Sequence, residues 1–258
     1  MTTDVIRNAA ISMDPNGAHV TSVETNLGEL LYLSSTSAFG PGEAIRGGVP
    51  VIGPWFGTFI RLPQHGWARR LAWQLSPTDE GIDATVSGPD FDMELHATHH
   101  DSCFTMTMSA KNTSDVEQTL QLAFHPYFKV TDVRHVRVTG LDGVRYVDYR
   151  QDPPQTVVQT GDVIFEDEVN SVFLGTPPVS IVDSHRLIHV ESEGTDSTVV
   201  WNPGQAVGNA TPDIGLDEWS HFVCVETALL GDHQQGVVVP AGDSRSLTMT
   251  VTVEPIVD

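Results

Sequence analysis

The stretch Leu247-Thr248-Met249-Thr250-Val251-Thr252-Val253-Glu254 alternates without a slip. Leu247, Met249, Val251 and Val253 fall on one side, and Thr248, Thr250, Thr252 and Glu254 on the other. Successive side chains of a β-strand point to opposite faces, so a period of two marks a strand with one face buried. An α-helix would split the same apolar set between two sides of its surface. The same alternation recurs at 18–25, 94–98, 104–109, 119–123, 136–139 and 186–191, with shorter β-branched or apolar runs at 198–201, 222–225 and 237–239. Turn signals such as Pro15-Asn16-Gly17, Pro153-Pro154, Pro177-Pro178 and Ala241-Gly242-Asp243 separate them. No helical pattern exceeds a turn or two, and 217–220 is the best place for one. The chain has no strand–helix alternation, no fixed repeat and no low-complexity linker. It reads as all-β, a large antiparallel β-sandwich or barrel forming one domain over residues 1–258.

Composition narrows the function classes. The 258 residues are 40% hydrophobic and 18% charged, as in an ordinary globular protein, and no run approaches the length of a membrane span. Residues 1–10 show no basic segment followed by an apolar run, so the expected compartment is the cytosol. Two cysteines, Cys103 and Cys224, are too few for a disulfide framework, and Cys224 reads as a small core residue. A net charge of −21 disfavours nucleic acid and anionic membranes as partners. The expected partner is a small molecule, and the expected state a monomer.

Against that charge, residues 44–78 contain no Asp or Glu, yet hold Arg46, Arg61, Arg69 and Arg70. Local positive charge of this kind suits an anion held against general repulsion. Gly47, Gly48, Gly53, Gly57 and Gly66 would let backbone N–H groups come close to such a ligand. A basic surface loop with no ligand gives the same pattern.

Polar residues that interrupt apolar strands carry the remaining information. His125 lies between Leu122-Ala123-Phe124 and Pro126-Tyr127-Phe128, as either a satisfied core histidine or a working acid/base. Glu226 closes the run Phe222-Val223-Cys224-Val225. A carboxylate there is costly unless partnered, or it marks the strand's exit to solvent. His65, in Gln64-His65-Gly66-Trp67, is either a solvated loop residue or part of a pocket. Thr98-His99-His100-Asp101 reads as a solvated turn, since neighbours on a strand face opposite ways and cannot ligate one metal together. No nucleophile elbow, zinc-protease motif or phosphate-binding loop is present.

Five segments in order, covering roughly residues 10–255, resemble the D-hexose-6-phosphate mutarotases (the glucose-6-phosphate 1-epimerase family), relatives of the galactose mutarotase/aldose 1-epimerase group. They are Ala44-Ile45-Arg46-Gly47-Gly48-Val49-Pro50 running into Gly53-Pro54-Trp55-Phe56-Gly57, then Gln64-His65-Gly66-Trp67-Ala68-Arg69, His125-Pro126-Tyr127-Phe128, Val200-Trp201-Asn202-Pro203, and Val223-Cys224-Val225-Glu226. The resemblance implies the galactose mutarotase-like supersandwich and interconversion of α and β anomers of a hexose 6-phosphate, with no metal or organic cofactor. It makes His125 the acid at the ring oxygen and Glu226 the base at the anomeric hydroxyl. The two are expected on opposite sides of one pyranose. Arg46, Gln64 and Arg69 would hold the substrate, the arginines through its phosphate, with His65 and Asn170 also in the sugar pocket. On this reading the window lacks acids because a carboxylate would compete for the guanidinium groups. This chain departs from the family pattern at Pro126, Asn170, Gly204 and Leu229. Two alternatives stay open: a mutarotase of unphosphorylated aldoses, and a non-catalytic carbohydrate-binding β-sandwich.

Overall fold

The computed structural model describes residues 5–8, 10–58 and 63–256. Arg61 lies outside the described residues. The stretch quoted above sits inside the strand Ser244–Pro255, which pairs antiparallel with Cys103–Asn112 on one side and Arg186–Glu193 on the other. Its register sets Leu247 opposite Met108, Met249 opposite Met106, and Val251 opposite Phe104. All six side chains are buried, which is why the alternation is so regular. Six further strands extend these three into a nine-stranded sheet.

A second sheet of eight strands runs in the order Gln155–Val158, Arg145–Asp148, Val169–Phe173, Ser197–Asn202, Phe222–Leu229, Leu122–Phe124 and Val51–Ile52, with Tyr127–Lys129 also paired to Phe222–Leu229. One core cluster joins the sheets: Phe104, Met106 and Val251 from the first, and Val200, Val223 and Val225 from the second. The ladders between named strands are all antiparallel, so the architecture is the β-sandwich expected. Among the described residues no helix is long and apolar enough to cross a membrane.

Three expectations need correction. The run 119–123 is two strands rather than one. Gln118–Leu120 pairs with Val237–Val239, and Leu122–Phe124 with Phe222–Leu229. The break falls at Gln121, whose buried amide serves Phe56 N–H, Leu230 C=O and Gln234 C=O instead of a ladder. His99 and His100 belong to the strand Phe91–His100, paired with Phe104 and Cys103, so the turn comes after them. The strand read as 222–225 continues to Leu229, which puts Glu226 in the interior of a strand rather than at its exit. A helix, Gly204–Ala210, follows Trp201-Asn202-Pro203. It closes on Trp219 at Gly208, where a Cβ would meet the Trp219 Cβ at 2.5 Å.

Candidate active site

The strand Phe222–Leu229 lies between Ser197–Asn202 and the broken strand formed by Leu122–Phe124 and Tyr127–Lys129. Val223 and Val225 face the sandwich core. Phe222, Cys224, Glu226 and Ala228 therefore face the other side. On that side Phe222 and Cys224 pack with Tyr32, Tyr127 and Ile214, and Ala228 with Ile52, Val172 and Val199. Glu226 sits between these two apolar patches, beside a cavity of about 770 Å³. That is the size of a small-molecule site.

His125 arrives from the neighbouring strand. Its N–H donates to Pro50 C=O at 3.1 Å and the Tyr127 N–H donates to Gly48 C=O at 2.9 Å, so Pro126 interrupts the ladder without releasing the backbone. The His125 ring stacks on Tyr127, with centroids 4.9 Å apart and planes 13° apart, and meets Trp201 edge-on. Its Nε2 lies 3.2 Å from Glu226 Oε1. His125 Nδ1 and Glu226 Oε2 are buried and find no protein partner among the described residues.

Burial pushes the Glu226 carboxyl well above its ordinary range. Burial, with help from His65, Arg46 and Arg69, holds the His125 imidazole well below its own. Both directions favour an uncharged pair that shares one proton across the 3.2 Å contact. The expectation of two groups on opposite sides of a pyranose is therefore corrected: they stand side by side and touch. Chemistry allows this, because the anomeric and ring oxygens are bonded to the same carbon.

His65 reaches the same cavity through a tight turn. Its φ is +65°, and Gly66 follows at +73° with its Cα so close to Gly53 that a Cβ would lie 2.0 Å from Gly53 O. Only glycine fits there. Gly57 N–H donates to His65 Nδ1 at 3.1 Å, which leaves the proton on Nε2 as a free donor. Burial first, then Arg69 and Arg46, lower its pKa to about 3, so the imidazole is neutral near pH 7.

The arginines divide. Arg46 donates Nη2 to Asp213 at 3.0 Å and Nη1 to the Tyr127 hydroxyl at 2.8 Å. Burial opposes its charge, but these two partners outweigh burial and raise its pKa. Among the described residues Arg69 donates only to Gln64 C=O, at 3.0 Å. Burial, with Arg70 and Arg46 nearby, lowers its pKa to about 10, still far above neutrality. Arg70 donates to Gly42 C=O at 2.7 Å.

All seven residues singled out from the sequence, Arg46, Gln64, His65, Arg69, His125, Asn170 and Glu226, line this one cavity. Asn170 stands opposite Trp201 on the adjoining strand, and Gln64 is at the rim. Asp213 was not anticipated. A carboxylate does touch an arginine of the acid-free window, because it comes from a loop 167 positions later (213 − 46). Arg70 was noted only as a charge in the window. Tyr149 and Gln234, in mutual contact at the mouth, carried no signal in the sequence.

A β-sandwich with a buried imidazole–carboxyl pair on the floor of an arginine-lined cavity has the groups that acid/base work on a small polar ligand needs. The sequence model of the family described as aldose 1-epimerase matches residues 6–252, and the chain belongs to that family. A Cenchrus ciliaris protein named "Putative glucose-6-phosphate 1-epimerase" is 33% identical over 248 residues, covering 86% of this chain and 75% of its own. The Escherichia coli K12 protein of the same name is 34% identical over 234 residues, covering 85% and 79%. A Salmonella typhimurium crystal structure described as a "putative mutarotase (YeaD)" superposes with a TM-score of 0.84 at 29% identity, over 98% of this chain and 90% of that one.

Proposed function

We propose that this chain interconverts the α and β anomers of a hexose 6-phosphate by acid/base opening and closing of the ring. The observation that carries the reading is the 3.2 Å contact between His125 and Glu226 on the floor of a sugar-sized cavity. The names of the relatives at 33% and 34% identity supply the substrate class.

Ring opening removes one proton from O1 and delivers one to the ring oxygen. The C1–O5 bond breaks, C1 becomes an aldehyde, and rotation about C1–C2 precedes closure on the other face. Sugar binding shifts the shared proton from Glu226 to His125; Glu226 then takes the O1 proton while His125 gives its proton to O5, and closure reverses both transfers. The pair thus holds one proton before and after, and only its position changes. Hydroxyl groups bound to the Glu226 carboxylate supply the stabilisation that burial withholds from it in the free protein. Each transfer is typically worth ~10²–10⁴-fold in rate. The Nε2–H of His65 is aimed to donate to a sugar oxygen, and Asn170 offers an amide to a hydroxyl. One core cluster draws residues from Ile11 to Val253, which supports treating the chain as one domain.

One observation favours the second reading, an unphosphorylated aldose: Asp213 already neutralises Arg46. Exchange spectroscopy on the anomers of glucose and of glucose 6-phosphate decides between them. The expected result is faster exchange on the phosphorylated sugar, reduced by ~10²-fold or more in Glu226→Gln. Exchange in that variant at the parent rate removes Glu226 from the chemistry, and equal rates on both sugars favour the unphosphorylated substrate.

A further inference from the structure

The strand that carries Glu226 also leads toward the mouth of the cavity. Beyond Glu226 come Ala228 and Leu230, which pack together with Val172 and Val199. Leu230, Val172 and Val199 line the cavity. From residue 226 to residue 230, extended chain covers roughly 13 Å. At that far end Gln121 Nε2 donates to Leu230 C=O at 3.1 Å and to Gln234 C=O at 2.9 Å. The cavity therefore runs from the His125–Glu226 pair, over an apolar patch, to a second polar group at Gln234.

The loop that presents Gln234 is closed at its base. The Asp196 carboxylate accepts Leu230 N–H at 2.9 Å and Gly231 N–H at 2.7 Å, and Gly236 N–H donates to Leu230 C=O at 2.7 Å. A Cβ on Gly231 would lie 2.1 Å from Gly236 O, so the two ends of the loop touch. Between them His233 and Gln234 take φ of +52° and +59°, a conformation that residues other than glycine seldom adopt. Such strain persists only where the surroundings enforce it, and it collects at functional sites. Here Gln121 and a bond from Gln234 N–H to Gly231 C=O, at 2.9 Å, enforce it.

Tyr149 meets this loop from the strand Arg145–Asp148, which it directly follows, and its N–H donates to Asn170 C=O at 2.9 Å. The Tyr149 hydroxyl donates to Gln234 Oε1. Among the described residues, neither the Gln234 Nε2 nor the Tyr149 oxygen as an acceptor has a partner. The contact thus spends one acceptor and one donor, and leaves two N–H donors on Nε2 beside a free oxygen lone pair on Tyr149. A donor next to an acceptor complements two hydroxyl groups on adjacent carbons: one accepts from Nε2, and the other donates to Tyr149.

In a pyranose the atom across the ring from C1 is C4, and the atom across from the ring oxygen is C3. With O1 and the ring oxygen at Glu226 and His125, the C3 and C4 hydroxyls point away from the pair. We propose that Gln234 and Tyr149 form a clamp on these two hydroxyls, with the C–H groups of the ring against the patch of Leu230, Val172 and Val199. The two then act as specificity residues for the sugar ring itself, whatever group C6 carries. This rests on the reading that His125 and Glu226 work at C1 and the ring oxygen, and adds which hydroxyls select the substrate.

The test is calorimetric titration of the full chain with glucose 6-phosphate and with its 3-deoxy and 4-deoxy analogues, with anomer exchange measured beside it. The parent is expected to bind each deoxy sugar about fivefold or more weakly. Gln234→Ala and Tyr149→Phe should each weaken binding of glucose 6-phosphate by a similar factor. Each loss should shrink below about twofold on the one deoxy sugar that lacks its partner hydroxyl. Gln234→Glu, which keeps an acceptor for Tyr149 but removes both N–H donors, should behave like Gln234→Ala. Thermal unfolding of each variant separates lost binding from lost structure. Losses of equal size on all three sugars would mark a merely structural role and overturn the inference. Equal affinity of the parent for all three, or no binding of glucose 6-phosphate, overturns it too. Anomer exchange by the parent in any of these cases leaves the acid/base reading standing. Parent-rate exchange in Glu226→Gln breaks that reading, while the affinities still report on the clamp.

Discussion

The two sheets of this sandwich are built to different rules. In the nine-stranded sheet the strands Phe91–His100, Cys103–Asn112 and Ser244–Pro255 run ten to twelve residues, and the inward side chains along their middles, such as Met93, Leu95, Met106, Met108, Met249 and Val251, are apolar. In the eight-stranded sheet the strand through His125 is broken at Gln121 and at Pro126, and one face of Phe222–Leu229 carries a buried carboxyl group. Both sheets share one core, so the first serves as a rigid backing for the second. The difference teaches that core packing and the candidate site lie on opposite sides of the same sheet. Val223 and Val225 bind it to the sandwich, while Cys224 and Glu226 turn toward the cavity.

If that division holds, removing Phe104, which is 1% exposed in the core, costs about 3–5 kcal/mol of stability but leaves the exchange rate per folded molecule as it was. Urea unfolding and exchange spectroscopy on Phe104→Ala measure the two separately. A large fall in exchange per folded molecule would break the comparison.

A smaller effect comes from two buried imidazoles. Burial lowers the pKa of His19 to about 4 and that of His65 to about 3, from 6.5. Below about pH 6.5 the unfolded chain protonates both while the folded protein does not, so stability falls as pH drops toward 4. His125 shifts in the same direction, and the raised Glu226 in the opposite one. His65→Gln isolates a single group. Its urea-derived stability should depend on pH less steeply than the parent's, by up to about 1.4 kcal/mol per pH unit. Identical slopes would show that His65 is not held neutral. The smallest effect is expected at Thr85, exposed on the nine-stranded sheet, where Thr85→Val should stay within about 0.5 kcal/mol of the parent.

The same contrast explains what could be read in the sequence. Strands with one apolar face print their period directly, and 247–253 lies inside Ser244–Pro255 as expected. His125, Glu226 and the arginine window were legible because each breaks a pattern: a polar group in an apolar run, or a gap in an acidic chain. Asp213 breaks nothing. It is one acid in an acidic loop, and its partner Arg46 is distant in sequence, so only the folded chain reveals the pair. Arg70 stood beside Arg69 with nothing to show that it has no carboxylate partner among the described residues. The helix Gly204–Ala210 contains two glycines and covers only two turns, and it is ordered by packing on Trp219 rather than by its own propensity.

On the proposed reading His125 and Glu226 act as one unit sharing a single proton. Anomer exchange measured for Glu226→Gln, His125→Asn and the double variant tests this most directly. If the pair works together, the double variant exchanges no more slowly than the slower single variant. Losses that multiply would mean two independent groups, and would contradict it.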